Sequence, residues 1–589
     1  MKRTAIALLM AVLMLCSLCC AEKPAETANT PLPTAGSDSA PTEPAAEDPT
    51  ASPTEAAATS APEGIPVRMV NGGRLSFLPE EPLSVPTLSE MVYTRPDTSE
   101  MIAKMEALTE KVPACGDAEE LLNDYYETVP LMQSFLSMSE LSFVRYCADT
   151  SDEFFADEYE YCYEQYGIVS EKENALYAAF AASPCRDALE EAYFGEGFFE
   201  DYDEFNEANE AYYELKQQEN DLLFEYYDLV GEANLYSAAG IDENYEAIGN
   251  VFIELVKVRQ QIAKAKGYDS CMDYLYACEY KRDYSTAEAR VYLDQMKTLI
   301  APLMLNNKIT GEYAYYSNWS ESRAMEYLSS AAERMGGPIW ESCRFLSGHE
   351  LYDIAYSGNK LSIGFTDYIA DYEAPVIFID PDSKDLLTTL FHEFGHFVDY
   401  YSNYGNSGGI ETSETYSQAM QYLAFKYADP FSESARENNL RAALSDLLVY
   451  SILREGAYGD FELQVCSLAP EELTLDRIDA VYAQCMEDYG LGGLDDMCSY
   501  SKYWIAYGHF FERPGYVIAY SVSAVSALQI CRLEAEEPGA GIEAFCRLLE
   551  RTHGKKFAAV LEEAGLDSPF ETETMEKTAE FLKQAFDME

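Results

Sequence analysis

The chain has 589 residues, 48% of them apolar, which excludes wholesale disorder and leaves enough material for a large core. Its 103 acidic and 40 basic side chains give a formal charge of −63, a surface that repels phosphate backbones and anionic lipid headgroups. Nucleic acid is therefore not an expected partner, nor is a basic contact with a membrane, whereas cationic peptides would be drawn in.

Residues 1–20, MKRTAIALLMAVLMLCSLCC, have a basic start and an apolar run too short for a comfortable membrane span, the pattern of a secretory leader. Cys16, Cys19 and Cys20 at its end resemble the acylation site of bacterial lipoproteins, with Cys20 or Cys19 as the lipid-bearing residue and ordinary cleavage after Ala21 as the alternative. Residues 21–66 are Pro, Thr, Ala, Ser and Glu with hardly a large apolar side chain, so they read as a disordered tether. The expected location is extracytoplasmic: a cell-surface lipoprotein of a bacterium, or a secreted protein, touching the membrane only through the lipid. The cysteines after the leader lie in apolar helical text with no C-x-x-C pair, so they read as small buried hydrophobes rather than a sulfur-bound structural metal site.

From residue 67 helical periodicity dominates and the expected fold class is mainly α, with a helical region over 67–290 and a catalytic region over 291–589. Met101 to Lys111, Ala118 to Val129 and Glu207 to Val230 are clear helical segments. Strand signals are scarce: Leu361 to Thr366 follows a Gly358-Asn359 turn, and Pro375 to Asp380 follows it, the latter expected to be the sheet edge along which a peptide lies. Asp380-Pro381-Asp382-Ser383 offers a helix N-cap, and Leu386, Leu387, Leu390, Phe394, Phe397 and Val398 give an apolar stripe to a helix over Ser383 to Tyr401.

That helix contains His392-Glu393-Phe394-Gly395-His396, an H-E-x-x-H sequence in a chain with only 5 histidines. Imidazoles four residues apart share one helical face, so both reach a single ion while Glu393 stands beside it. A catalytic zinc held by two neutral imidazoles takes a third protein ligand and keeps one position open for water. Downstream, Gly409-Ile410-Glu411-Thr412-Ser413-Glu414 turns from a Gly-rich loop into a helix with two carboxylates one turn apart. Glu414 is the expected ligand and Glu411 the reserve. Asp399 and Gln418 are placed either as partners that orient the histidines or on the helix surface. His349 and His553 read as incidental.

Several stretches together resemble the thimet oligopeptidase and oligoendopeptidase F family of zinc metallopeptidases, the gluzincin type in which H-E-x-x-H is completed by a glutamate. They are Tyr352 to Ala355, Gly364 to Phe378, the His392–His396 motif, Ser413-Glu414-Thr415-Tyr416-Ser417-Gln418, and Gly508-His509-Phe510-Phe511 followed by Arg513-Pro514-Gly515-Tyr516-Val517-Ile518-Ala519-Tyr520. More loosely, Glu254 to Ser270 is similar to the helical text before the family's catalytic core. Two departures stand out: the interval from His396 to Glu414 is short for the family, and Ser523 stands where some members have a further tyrosine.

The resemblance implies a large, mainly helical zincin-like body with a deep substrate channel and a small β-sheet beside the active-site helix. It implies one Zn2+ per chain on His392, His396 and Glu414, and oligopeptides as substrates. A zinc-activated water would attack the scissile carbonyl with Glu393 as general base, and His509, Tyr516 and Tyr520 would contact the substrate and the developing oxyanion. Two readings stay open beside this endopeptidase: a peptidyl dipeptidase or carboxypeptidase of the same zinc class, for which Arg513 is the nearest cation to hold a terminal carboxylate, and a non-catalytic lipid-anchored peptide-binding protein.

Overall fold

Helices make up most of the described residues, as the 3.6-residue spacing of the apolar side chains predicts. The computed structural model describes residues 67–69, 75–77 and 85–588, apart from 196, 203–209, 236, 306–308, 310–318, 382–384, 407, 430–432, 493–498 and 552–554. The leader and tether expected over 1–66 thus lie outside the described residues, as does His553. Among the described residues no helix is long and apolar enough to cross a membrane.

The expected N-terminal helices form at Ser99–Lys111, Ala118–Tyr126 and Glu210–Glu232. Met101, Leu108, Leu121, Phe135, Leu176, Phe180 and Phe199 close a small core of their own. A much larger apolar core runs from Leu88 to Phe586 and encloses the helices that matter for the site. These are α1 (Val129–Ala148), α2 (Leu386–Asn403), α3 (Ile410–Tyr427) and α4 (Ile518–Glu536).

One small sheet lies beside α2. Its strands are β1 (Tyr352–Asp353), β2 (Gly364–Ile369) and β3 (Ala374–Ile379), in the order β1-β3-β2. The β2 and β3 strands pair antiparallel from Gly364 with Ile379 to Ile369 with Ala374, while β1 pairs parallel with Ile377 and Phe378 only. Two expectations need correction. Strand β2 starts at Gly364 rather than Leu361, and the strand of Pro375 is central rather than an edge: all six of its residues are buried. Proline is tolerated there because the missing N–H falls in the part of β3 that the two-residue β1 does not reach.

Helix α2 begins at Leu386, later than Ser383, because Asp385 is its cap: Oδ1 accepts a hydrogen bond from Thr388 N at 3.0 Å. Its buried side, Leu386, Leu387, Leu390, Phe391, Phe394, Phe397 and Val398, packs on the sheet and on α3. At Gly395 the two helices touch backbone to backbone. A Cβ there would lie 2.5 Å from Ser417 Cα and 2.6 Å from Tyr416 O, so only glycine permits this approach.

Candidate metal centre

The close approach at Gly395 brings the two halves of the sequence motif together. His392, His396 and Glu414 each offer a ligand atom, and these atoms lie within 4.8 Å of one another. Glu414 Oε2 is 3.6 Å from His392 Nε2 and 3.9 Å from His396 Nε2. Three donors on one ion at about 2.1 Å in tetrahedral geometry stand about 3.4 Å apart, so a few tenths of an ångström of closure suffices.

The surroundings suit ligands rather than a salt bridge. Burial lowers the His392 imidazole to about 4, and burial together with the neighbouring His392 holds His396 well below its usual range, so both rings are neutral with a lone pair to give. Ser413 Oγ is 3.0 Å from His396 Nδ1, which leaves Nε2 as the nitrogen facing Glu414. The Gln421 side chain is in hydrogen-bonding range of His392. Burial raises the Glu414 carboxyl to about 7, opposed by the Ser417 hydroxyl, which donates to Oε2 at 3.1 Å. Two nitrogens and an oxygen that all resist carrying charge without a cation fit a divalent ion.

Glu411 is not part of this cluster. Arg282 Nε and Tyr284 OH each donate to its Oε1 at 2.7 Å, in a buried ion pair that engages the carboxyl elsewhere. Asp399 and Gln418 also differ from expectation: both are buried, and their hydrogen bonds go to groups other than the histidines. Asp399 pairs with Arg551 and accepts from Asn403 Nδ2 at 2.9 Å, tying the end of α2 to the chain after Leu549. Gln418 bridges α3 to α4, donating to Tyr520 O and accepting from Ser523 Oγ, both at 3.3 Å. His349, read as incidental, bonds the Val85 carbonyl through Nδ1 at 2.8 Å, far from the centre in role.

Glu393 is buried between α2 and strand β2. The Thr366 hydroxyl is 2.9 Å from both its Oε2 and its carbonyl oxygen, and a Cβ on Gly364 would lie 3.7 Å from its Oε1. The β2 backbone therefore runs directly past the carboxylate, and among the described residues β2 is an edge of the sheet.

His509, Tyr516 and Tyr520 are brought together by the turn from the short helix His509–Glu512 into α4. Ring centroids are 5.6 Å apart for His509 and Tyr516, 5.3 Å for Tyr516 and Tyr520, and 6.3 Å for His509 and Tyr520. Burial, then the adjacent Tyr516 and Glu414, hold the Tyr520 phenol well above its usual range, so it remains a proton donor. Burial and then Arg513 depress His509 to about 4. The turn itself is clamped: Glu462 accepts from Gly515 N at 2.9 Å, Arg282 donates to Gly515 O at 2.8 Å, and Tyr280 OH donates to Pro514 O at 3.0 Å. Ser413, Gln421, Thr366 and Arg282 carry no role in the sequence reading. Gln421 had a signal, lying two turns after Glu414 on the same face of α3.

The chain compares with known proteins as follows. Residues 88–207 match the model of the peptidase M3 N-terminal domain, and residues 370–580 match that of peptidase family M3. No curated protein matches. Among solved structures, PZ peptidase A with an inhibitor superposes with a TM-score of 0.70 at 22% identity, over 85% of this chain and 99% of that one. A protein assigned to oligoendopeptidase F gives 0.68 at 23% identity, over 85% and 99% of the respective chains. Another, from Bacillus anthracis str. Ames, gives 0.66 at 20% identity, over 85% and 98%. These likenesses show the same fold.

Proposed function

Because the chain belongs to peptidase family M3, and is therefore a metal-dependent peptidase, we propose that it is a zinc endopeptidase acting on short oligopeptides. The observation that carries the finer reading is the convergence of His392, His396 and Glu414 beside a Glu393 carboxylate that faces an edge strand. His392, His396 and Glu414 would hold the ion. Two imidazoles and one carboxylate favour zinc among divalent ions, with one positive charge left over after Glu414 is counted. When bound, such an ion supplies Lewis acidity toward a carbonyl and makes water acidic near neutral pH.

The remaining work falls to the chain. Edge strand β2 pairs with the peptide main chain, which is tolerant of sequence and holds the scissile carbonyl next to Glu393. With Thr366 on Oε2, Glu393 accepts the proton of the attacking water at Oε1 and returns it to the leaving amine nitrogen. Tyr520, which stays protonated, and Tyr516 donate hydrogen bonds to the carbonyl oxygen as it gains charge. Neutral His509 lies between them and the substrate backbone. We further propose that the leader and tether hold this body outside a bacterial membrane through a lipid on Cys20 or Cys19; radiolabelled palmitate incorporated into the wild type and lost from Cys19→Ser/Cys20→Ser is the expected sign.

Mass-spectrometric mapping of products from a mixed pool of peptides of five to fifteen residues tests the activity. Internal cuts that vanish on chelation and return with zinc are expected. A zinc-loaded, folded chain that cleaves nothing in the pool would remove the proposal.

A further inference from the structure

We propose that Tyr507 is a positioning residue that sets the orientation of the His509 ring toward the substrate. The proposal rests on the peptidase reading above and adds the part that keeps one of its substrate-contacting groups in place. Tyr507 lies just before the short helix His509–Glu512.

Packing, not hydrogen bonding, orients His509. Among the described residues no protein group hydrogen-bonds to its ring, which leaves the ring nitrogens to the substrate. Three aromatic rings surround it, and they meet it differently. Tyr507 is stacked on it, with centroids 5.1 Å apart and planes at 23°, whereas Tyr516 is tilted at 47° and Tyr520 stands edge-on at 69°. A stacked neighbour covers the face of the imidazole and so limits its tilt.

Tyr507 serves as a platform because it is itself fixed twice. Its hydroxyl donates to Glu455 Oε2 at 2.8 Å, and Arg454 Nη2 donates to Oε1 of that buried carboxylate at 3.0 Å. Its ring packs on Tyr458 of the same helix, Glu455–Val465, with centroids 4.6 Å apart. Burial and then the Glu455 charge hold the Tyr507 phenol well above its usual range, so the hydroxyl keeps its proton and goes on donating. A hydroxyl committed to Glu455 is not offered to a substrate carbonyl, which separates Tyr507 from Tyr516 and Tyr520. The same helix supplies Glu462, which accepts from Gly515 N. One element thus grips the chain on both sides of His509, at Tyr507 before it and at Gly515 after it. A support of this kind touches no substrate and still matters, because a displacement of about 1 Å at the reacting groups costs about a hundredfold in rate.

The test is a double-mutant cycle on the zinc-loaded full chain with a fluorogenic peptide as substrate. Tyr507→Leu removes the platform and its tether, Tyr507→Phe removes the tether alone, and each is made both in the wild type and in His509→Ala. In the wild type, Tyr507→Leu should lower kcat about tenfold to a hundredfold at unchanged zinc content, and Tyr507→Phe by a smaller factor of about threefold to tenfold. In the His509→Ala background both substitutions should change kcat by less than about twofold, because the group they orient is gone. An equal loss with and without His509 would overturn the assignment, and so would wild-type kcat in Tyr507→Leu. Should the leucine variant lose its zinc, Tyr507→Phe, which keeps the ring packing, decides the same question. Absence of cleavage by the wild-type chain would remove the peptidase reading, and this assignment with it.

Discussion

Arg282 and Glu411 form a buried ion pair, Nε to Oε1 at 2.7 Å, one helical turn before Glu414. The two carboxylates of α3 consequently have separate duties: Glu411 anchors the helix to the arginine that also holds Gly515, and Glu414 faces the histidines. Glu414→Gln should lose metal in a spectroscopic zinc assay. Glu411→Gln should retain it but unfold more easily, by about 3–5 kcal/mol, because the substitution strands a buried guanidinium. Loss of metal from Glu411→Gln alone would reverse the assignment.

Gly395 fixes the distance between the helices that carry the three candidate ligands. The atoms that a Cβ would strike belong to the backbone of Tyr416 and Ser417, so no side chain can swing aside. Gly395→Ala should therefore cost at least about 1–3 kcal/mol in denaturant unfolding and should weaken metal affinity in the same protein. A variant as stable as the wild type would mean that the helices sit farther apart.

How much of this was legible in the sequence depends on whether a feature was local. The H-E-x-x-H spacing, the apolar stripe of Leu386 to Val398 and the Glu of Ser413-Glu414 are patterns within one helix, and their expected convergence appears in the fold. The edge strand was misplaced because strand order is decided by pairing between segments: continuous burial of Pro375 and its neighbours reflects a central strand, which a run of apolar residues does not distinguish from an edge. Asp399, read either as a partner that orients the histidines or as a helix-surface residue, is neither. Its actual partner, Arg551, lies 152 residues away in sequence, and no local pattern announces it. Thr366 was silent for the same reason.

Thr366 supports the proposed base from a different element, which makes it a positioning residue. Thr366→Val should lower kcat about tenfold with little change in KM, and Thr366→Ser should restore most of the rate. A matching rise in KM instead would indicate that the residue contacts substrate rather than Glu393.

On the far face of β2, Asp367 meets Glu140 of α1, and both are buried. Burial pushes Asp367 up to about 6, and burial together with the Asp367 charge pushes Glu140 well above the usual carboxylate range. Carboxyls raised in the fold bind more protons than in the unfolded chain, so their contribution to stability is full below the unfolded range near pH 4 and is lost as pH rises through about 6 and above. Asp367→Asn should consequently gain melting temperature over the wild type at pH 7 and lose that advantage at pH 4. A constant difference across the two pH values would show that the pair does not titrate in this window.

The central claim is that Glu393 moves the proton in a reaction supported by an ion on His392, His396 and Glu414. Zinc content and peptide turnover measured side by side for the wild type and Glu393→Gln test it most directly. The account predicts one zinc per chain in both proteins and a loss of nearly all turnover, by about a thousandfold or more, in the variant. Turnover within a fewfold of the wild type at equal zinc content would contradict it.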